Sequence, residues 1–232
     1  RKWVDRQRKL RENILTKDPR DFFTWEEVRY SMLAPEYCAA DLDFLKKSNM
    51  WPEWKEALSE IEFPERNISW DEPFVNRSTV IGNAYKLSQL LLDQKIDIKK
   101  MKAIFEFGGG YGSIARLCYK LGFKGTYVIF DLPEFSALQR YFLRASNLNI
   151  QVESSPIKPA ERMVIALSQI DKLEEQLSYI TPEIFIATWS LSESPLSLRE
   201  KIIQLIKNIK YYFIAYQEQF PILTGIDNVT YF

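Results

Sequence analysis

Apolar positions recur along the second part of the chain in two different periods. In "STVIGNAYKLSQLLL" residues 80, 81, 84, 87 and 91 are apolar, a spacing that lays one stripe along a helix. "AIFEF" (103–107) is a short apolar run that stops at glycines. "SIARLCYKL" then puts Ile114, Leu117, Cys118 and Leu121 on one helical face. "YVIF" (127–130) is a second run of strand length, and Pro133 opens a helix with Phe135, Leu138, Phe142 and Ala145 in line. "IFIAT" (184–188) is a third run. Ser194-Pro195 reads as the cap and start of a helix striped by Leu198, Ile202, Leu205, Ile206 and Ile209, and "YYFIAY" (211–216) is a fourth run. Short apolar strands alternating with amphipathic helices predict a parallel sheet covered on both faces. The fold class is therefore α/β: Rossmann-like, doubly wound and mostly parallel. Between residues 149 and 182, "IQVES" and "MVIAL" each read as a candidate for the remaining strand. Few residues follow the fourth run, so either the sheet is short of edge strands or the chain continues.

The first part of the chain has a different character. Five of the six tryptophans (Trp3, Trp25, Trp51, Trp54, Trp70) lie there among charged residues and prolines, which points to several short helices. Thr24 with Glu27 reads as a capping box ahead of "WEEVRYSML". Pro52 suits the first turn of "PEWKEAL". The opening "RKWVDRQRKLRENIL" is basic and weakly amphipathic, a helix with a solvated face or, alternatively, a membrane-surface or partner helix. The expected division is a helical, tryptophan-rich cap over 1–75 and a sheet domain over 76–232.

Composition narrows the chemistry. With 31 basic and 31 acidic residues the net charge is zero, which leaves no electrostatic footprint for nucleic acid. No apolar run is long enough to span a membrane. Cys38 and Cys118 make no disulfide framework and fit a reducing compartment, so a cytoplasmic location is expected; Arg1 in place of methionine leaves an export signal on a longer precursor open. There is no histidine. A general base must be Asp, Glu, Lys, Tyr or water, and no metal site is expected, although two acids could hold Mg²⁺.

Glycine is scarce except in one place. Of eight glycines, four are Gly108, Gly109, Gly110 and Gly112. A phosphate loop of the G-x-x-x-x-G-K-[ST] type is absent, and a G-x-G-x-x-G fingerprint fails because Ser113 stands at its last position. What remains is Glu106, a G-x-G-x-G at 108, 110 and 112, and Asp131 closing the next strand. A plain turn needs one glycine, so the cluster points to a ligand against the main chain.

This arrangement resembles class I S-adenosylmethionine-dependent methyltransferases. The longer stretch "FEFGGGYGSIARL…YVIFDLPEFSALQRYFL", followed by "IFIATWSLSES", resembles the sugar O-methyltransferase family of bacterial surface-polysaccharide clusters, over roughly residues 76–218. The resemblance implies that Gly108, Gly110 and Gly112 line the methionine end of S-adenosylmethionine, and that Glu106 organises the loop. It implies that Asp131 holds the ribose hydroxyls, Leu132 packs near the adenine, and Ser168 and Gln169 hydrogen-bond it. Read from the residues alone, Glu106 is also a buried structural carboxylate and Asp131 a helix cap for "PEFSALQ".

Transfer to a sugar hydroxyl benefits from a base, because the hydroxyl proton is held far more tightly than a carboxylate's. Glu193, past "IFIAT", is the first candidate, Glu218 the second and Asp227 the third. Trp189 is expected to stack on a sugar or on adenine, Ser192 to contact the acceptor, and Arg77 is a candidate clamp for the donor's carboxylate. The expected activity is O-methylation of a saccharide: a nucleotide sugar, a lipid-linked glycan or a polymer. The alternatives are a methyltransferase of a phenolic or other small molecule, and a non-catalytic cofactor-binding module of a larger glycan-assembly protein.

Overall fold

Strand side chains alternate between the two faces of a sheet, and here both faces are buried. The computed structural model describes residues 2–32, 39–58, 75–152, 156–216 and 228–232. Among these residues the sheet has strands β1 (Ala103–Phe107), β2 (Thr126–Phe130), β3 (Asn149–Val152), β4 (Met163–Leu167), β5 (Ile184–Thr188) and β6 (Tyr211–Ala215). Their order is β3-β4-β2-β1-β5-β6. Every neighbouring pair is parallel, as in Phe105 opposite Val128 and Phe185. The sheet is thus wholly parallel among the described residues rather than mostly so. Both ambiguous segments are strands, side by side: "NIQV" is the edge and "MVIAL" is its inner neighbour.

Ahead of the sheet stand α1 (Lys2–Thr16), α2 (Glu26–Met32), α3 (Ala39–Lys47), α4 (Trp51–Ala57) and α5 (Val75–Asp93). Between and after the strands come α6 (Ser113–Lys120), α7 (Pro133–Ala145), α8 (Ile170–Tyr179), α9 (Ser190–Glu193), α10 (Leu196–Ile206) and α11 (Asn228–Tyr231). Ile104, Tyr127, Ile129, Val164 and Ile186 face one apolar cluster, filled by α5, α6 and α7 and by Leu10, Phe22, Trp25, Leu45 and Trp54 from the N-terminal helices. Phe105, Phe107, Val128, Ile165 and Phe185 face a second cluster, filled by Leu173 of α8 and by Ile202 and Ile206 of α10. This is the doubly wound arrangement, and its sheet order is that of the Rossmann-like fold of class I methyltransferases. The strand order reverses at β1, which has β2 on one side and β5 on the other. Open parallel sheets place their ligands at such a point, beyond the carboxyl ends of the strands.

Two local expectations about caps give way, and α1 keeps the solvated face expected of it. Thr24 does not cap α2: its hydroxyl donates to the Asp21 carbonyl at 2.8 Å, closing a 3₁₀ turn over Pro19–Thr24. Glu27 instead accepts from Asn13 Nδ2 at 2.6 Å, tying α2 to α1. Ser194 does not cap α10, because its hydroxyl donates to the Leu191 carbonyl at 2.8 Å and the helix starts at Leu196. Finally, α1 is docked along one side. Leu10 is buried in the first cluster, and the exposed Arg11 reaches the buried Glu134 at 2.5 Å. Tertiary partners outbid the local caps in the first two cases.

Candidate functional site

The glycine turn joins β1 to α6. Gly108 has φ +77°, a conformation that side chains rarely take, and its N–H donates to the Phe130 carbonyl at 2.8 Å. A Cβ there would stand 2.0 Å from Ser190 Oγ. Ser190 is drawn in because its hydroxyl donates to the Phe107 carbonyl at 2.6 Å, which laces the end of β5 to the end of β1. Gly109, Gly110 and Gly112 are likewise pressed by Ile129, Met32 and Leu143. Each of the four glycines therefore answers to a neighbour within the chain. The inference that a turn without a ligand needs only one glycine is too simple for a turn wedged between α9, β2, α2 and α7.

Two acids stand at this end of the sheet. Glu106 shares a face with Ile104, so the strand carries it into the first core, where it is 1% exposed. Tyr127 donates to its Oε2 at 2.8 Å. Burial pushes its carboxyl up to about 8, the Tyr127 hydroxyl pulls it down, and the Asp131 charge raises it further. Among the described residues the carboxylate thus takes its bond from a side chain and not from backbone N–H groups.

Asp131 closes β2 half-buried. Its Oδ2 accepts from the Gly110 N–H at 2.8 Å and from Gln139 Nε2 at 3.2 Å, and its Oδ1 from the Leu132 N–H at 2.7 Å. Burial pushes this carboxyl up to about 7, against the pull of those donors. Gln139 also donates to the Gly110 carbonyl at 2.9 Å, so acid, glycine turn and α7 form one unit. The Asp131 N–H donates to the Leu167 carbonyl at 3.0 Å, and Ser168 and Gln169 are the next two residues along the chain from that partner. Leu132 is half-buried against the first core.

The other side of the switch point follows β5. Trp189 is 39% exposed and has φ +72°, unusual for a bulky residue. Ser192 is fully buried, and its hydroxyl donates to the Trp189 carbonyl at 2.5 Å. It shapes the α9 turn and is not presented to an acceptor. Glu193 ends that turn half-buried; burial raises its pKa, and the Arg6 guanidinium on α1 lowers it. The turn is held from behind by the buried Arg199, which donates to the Ser192 carbonyl, to the Ser194 carbonyl at 2.8 Å and to Asn228 Oδ1 at 2.9 Å. Its guanidinium lies 5.2 Å from the Tyr231 ring, so the last residues also brace the turn.

Glu218, Asp227 and the side chain of Arg77 lie outside the described residues. Among the described residues no cluster of acids, cysteines or histidines could hold a metal ion. The donor set fits a ribose: a half-buried carboxylate at a strand end, with a backbone N–H of the glycine turn already bound to it. Lys86, Gln139, Ser190 and Arg199 carry no signal in sequence, since each reads as an ordinary helix or turn residue and gains its part only through distant contacts.

No protein-family model matches the chain, and no curated protein matches it, so the resemblance to sugar O-methyltransferases finds no support there. Solved structures do show a remote likeness. An O-methyltransferase family protein from Burkholderia thailandensis is 14% identical, with 69% of this chain and 47% of that one covered and a TM-score of 0.35. PigF with SAH is 15% identical, with 74% and 45% covered and a TM-score of 0.35. The mitomycin 7-O-methyltransferase MmcR is 14% identical, with 91% and 59% covered and a TM-score of 0.39. This chain spans about half the length of those proteins, and its own sheet order is what defines the fold.

Proposed function

We propose that the protein is an S-adenosylmethionine-dependent methyltransferase acting on an oxygen acceptor, a hydroxyl of a saccharide. The observation that carries this is Asp131 bound to the Gly110 N–H at the switch point of the sheet. Asp131 would accept from a ribose hydroxyl with the one lone pair its three present donors leave over. Leu132 would cover one face of a base, and Ser168 and Gln169 would meet its polar edge. S-Adenosylmethionine supplies a methyl group on a sulfonium, open to in-line displacement by an oxygen. Glu193 would take the hydroxyl proton at a carboxylate oxygen as the new C–O bond forms. Its raised pKa suits that task, because a more basic carboxylate takes a proton more readily. Trp189 offers an exposed ring for a sugar face.

Calorimetric titration tests this reading. S-Adenosylhomocysteine should bind in the micromolar range and NAD should not. Asp131→Asn should weaken that binding by about tenfold, the loss of one hydrogen bond to a charged group. Glu193→Gln should leave it unchanged and abolish turnover once an acceptor is found. The glycines pressed by the chain's own atoms favour a second reading, a structural turn that holds no cofactor. No binding of S-adenosylhomocysteine would leave that reading alone.

A further inference from the structure

Helix α5 runs past the glycine turn, with Asn83 Nδ2 donating to Ser113 Oγ at 3.3 Å at the start of α6. One turn later Lys86 points at the end of β5, its Nζ 5.2 Å from the centre of the Trp189 ring. Lys86 is half-buried. Burial lowers its pKa, and the charge of Asp41 on α3 raises it. No ion pair to Lys86 forms among the described residues. An ammonium taken partly out of water, with Asp41 acting on it but no ion pair formed among the described residues, is costly, and a ring face offsets only about 1 kcal/mol of that. Its tryptophan partner is exposed and held out on strained backbone at φ +72°. The pair therefore presents a cation and a flat apolar face together at the switch point.

Its side of the switch point decides what it would hold. Asp131 ends β2, to one side of β1; Trp189 ends β5, to the other, with Glu193 four residues further on. The donor's ribose belongs with Asp131, so the cation belongs with the acceptor.

We infer that Lys86 and Trp189 form the seat for an anionic group on the acceptor, a phosphate or carboxylate carried by a sugar whose face lies on the Trp189 ring. This rests on the reading above and narrows it. The acceptor is a sugar phosphate, a nucleotide sugar or a uronic acid, and a neutral glycan is disfavoured.

The test is calorimetry of the whole chain with glucose 1-phosphate, glucuronate and neutral glucose, on the wild type, Lys86→Met and Lys86→Arg. At least one anion should bind more tightly than glucose, and the bound anion identifies the source as phosphate or carboxylate. Lys86→Met should weaken that anion by about tenfold or more, and Lys86→Arg should restore much of it. In the wild type the same anion should slow trace acetylation of Lys86, read by mass spectrometry, which needs no variant to fold. The inference is overturned if neither anion outbinds glucose, or if the anion binds Lys86→Met as well as the wild type. It is also overturned if Lys86→Met weakens S-adenosylhomocysteine but not 5′-methylthioadenosine or the anions, since Lys86 would then serve the donor's own carboxylate. An anion effect without any S-adenosylhomocysteine binding would sink the methyl-transfer reading and leave the anion seat standing.

Discussion

Glu106 shows what a two-residue period does to a charged side chain. Its place in β1 turns it inward beside Ile104, and the only side chain that answers it in the described residues is Tyr127. The fold therefore favours its neutral form, with the carboxyl pushed up to about 8 from an ordinary carboxylate value. A raised pKa has a definite sign in stability. Its contribution is full below the carboxylate range and is lost as pH rises through about 8. Glu106→Gln keeps the shape and removes the titration. Urea unfolding between about pH 5 and about pH 9 should show the wild type losing stability relative to this variant as pH rises. Parallel curves would mean that Glu106 is charged in the fold. Asp131, pushed up to about 7, titrates in both proteins, so the difference between them reports Glu106 together with its coupling to Asp131.

Between elements, the important joint is the one between the β1–α6 turn and the start of α9. Gly108 and Ser190 are 82 positions apart in numbering, yet a Cβ on Gly108 would lie 2.0 Å from Ser190 Oγ. Gly108→Ala should cost about 1–2 kcal/mol for the left-handed backbone alone, and more for the clash. In a Ser190→Gly background the clash is gone, and the same substitution should cost only the backbone share. A double-mutant cycle by thermal unfolding reads the coupling; strictly additive costs would mean the two turns do not touch. The glycine cluster itself was plain in the sequence, and so were its place after a strand and the acid that follows. Its neighbours were not, because Ser190, Ile129, Met32 and Leu143 come from four other elements. The helix starts misjudged at Thr24 and Ser194 have the same cause: a side chain that fits a cap locally was claimed by a carbonyl that only the folded chain brings near.

Across the whole molecule, the N-terminal helices and one face of the sheet share a single apolar cluster. Trp54 is 1% exposed within it, and Arg116 of α6 donates to the neighbouring Ala57 carbonyl at 3.0 Å. Trp54→Ala should cost about 3–5 kcal/mol, the usual penalty for emptying so large a core site. It should lower one cooperative unfolding transition, seen alike by far-ultraviolet circular dichroism and tryptophan fluorescence. A separate early melt of the N-terminal helices would show instead that residues 1–75 fold apart from the sheet. The chain by itself determined strands β1, β2, β5 and β6, helices α5, α6, α7 and α10, the parallel sheet and the glycine turn with its two acids. Those features are written in the spacing of neighbours along the chain. The tertiary structure alone decided that Ser190 would press on Gly108, that Gly110 would bind Asp131, that Arg199 would brace the Glu193 turn and that Lys86 would face Trp189. Such contacts join residues far apart in sequence, and only the packing of helices on the sheet brings them within reach.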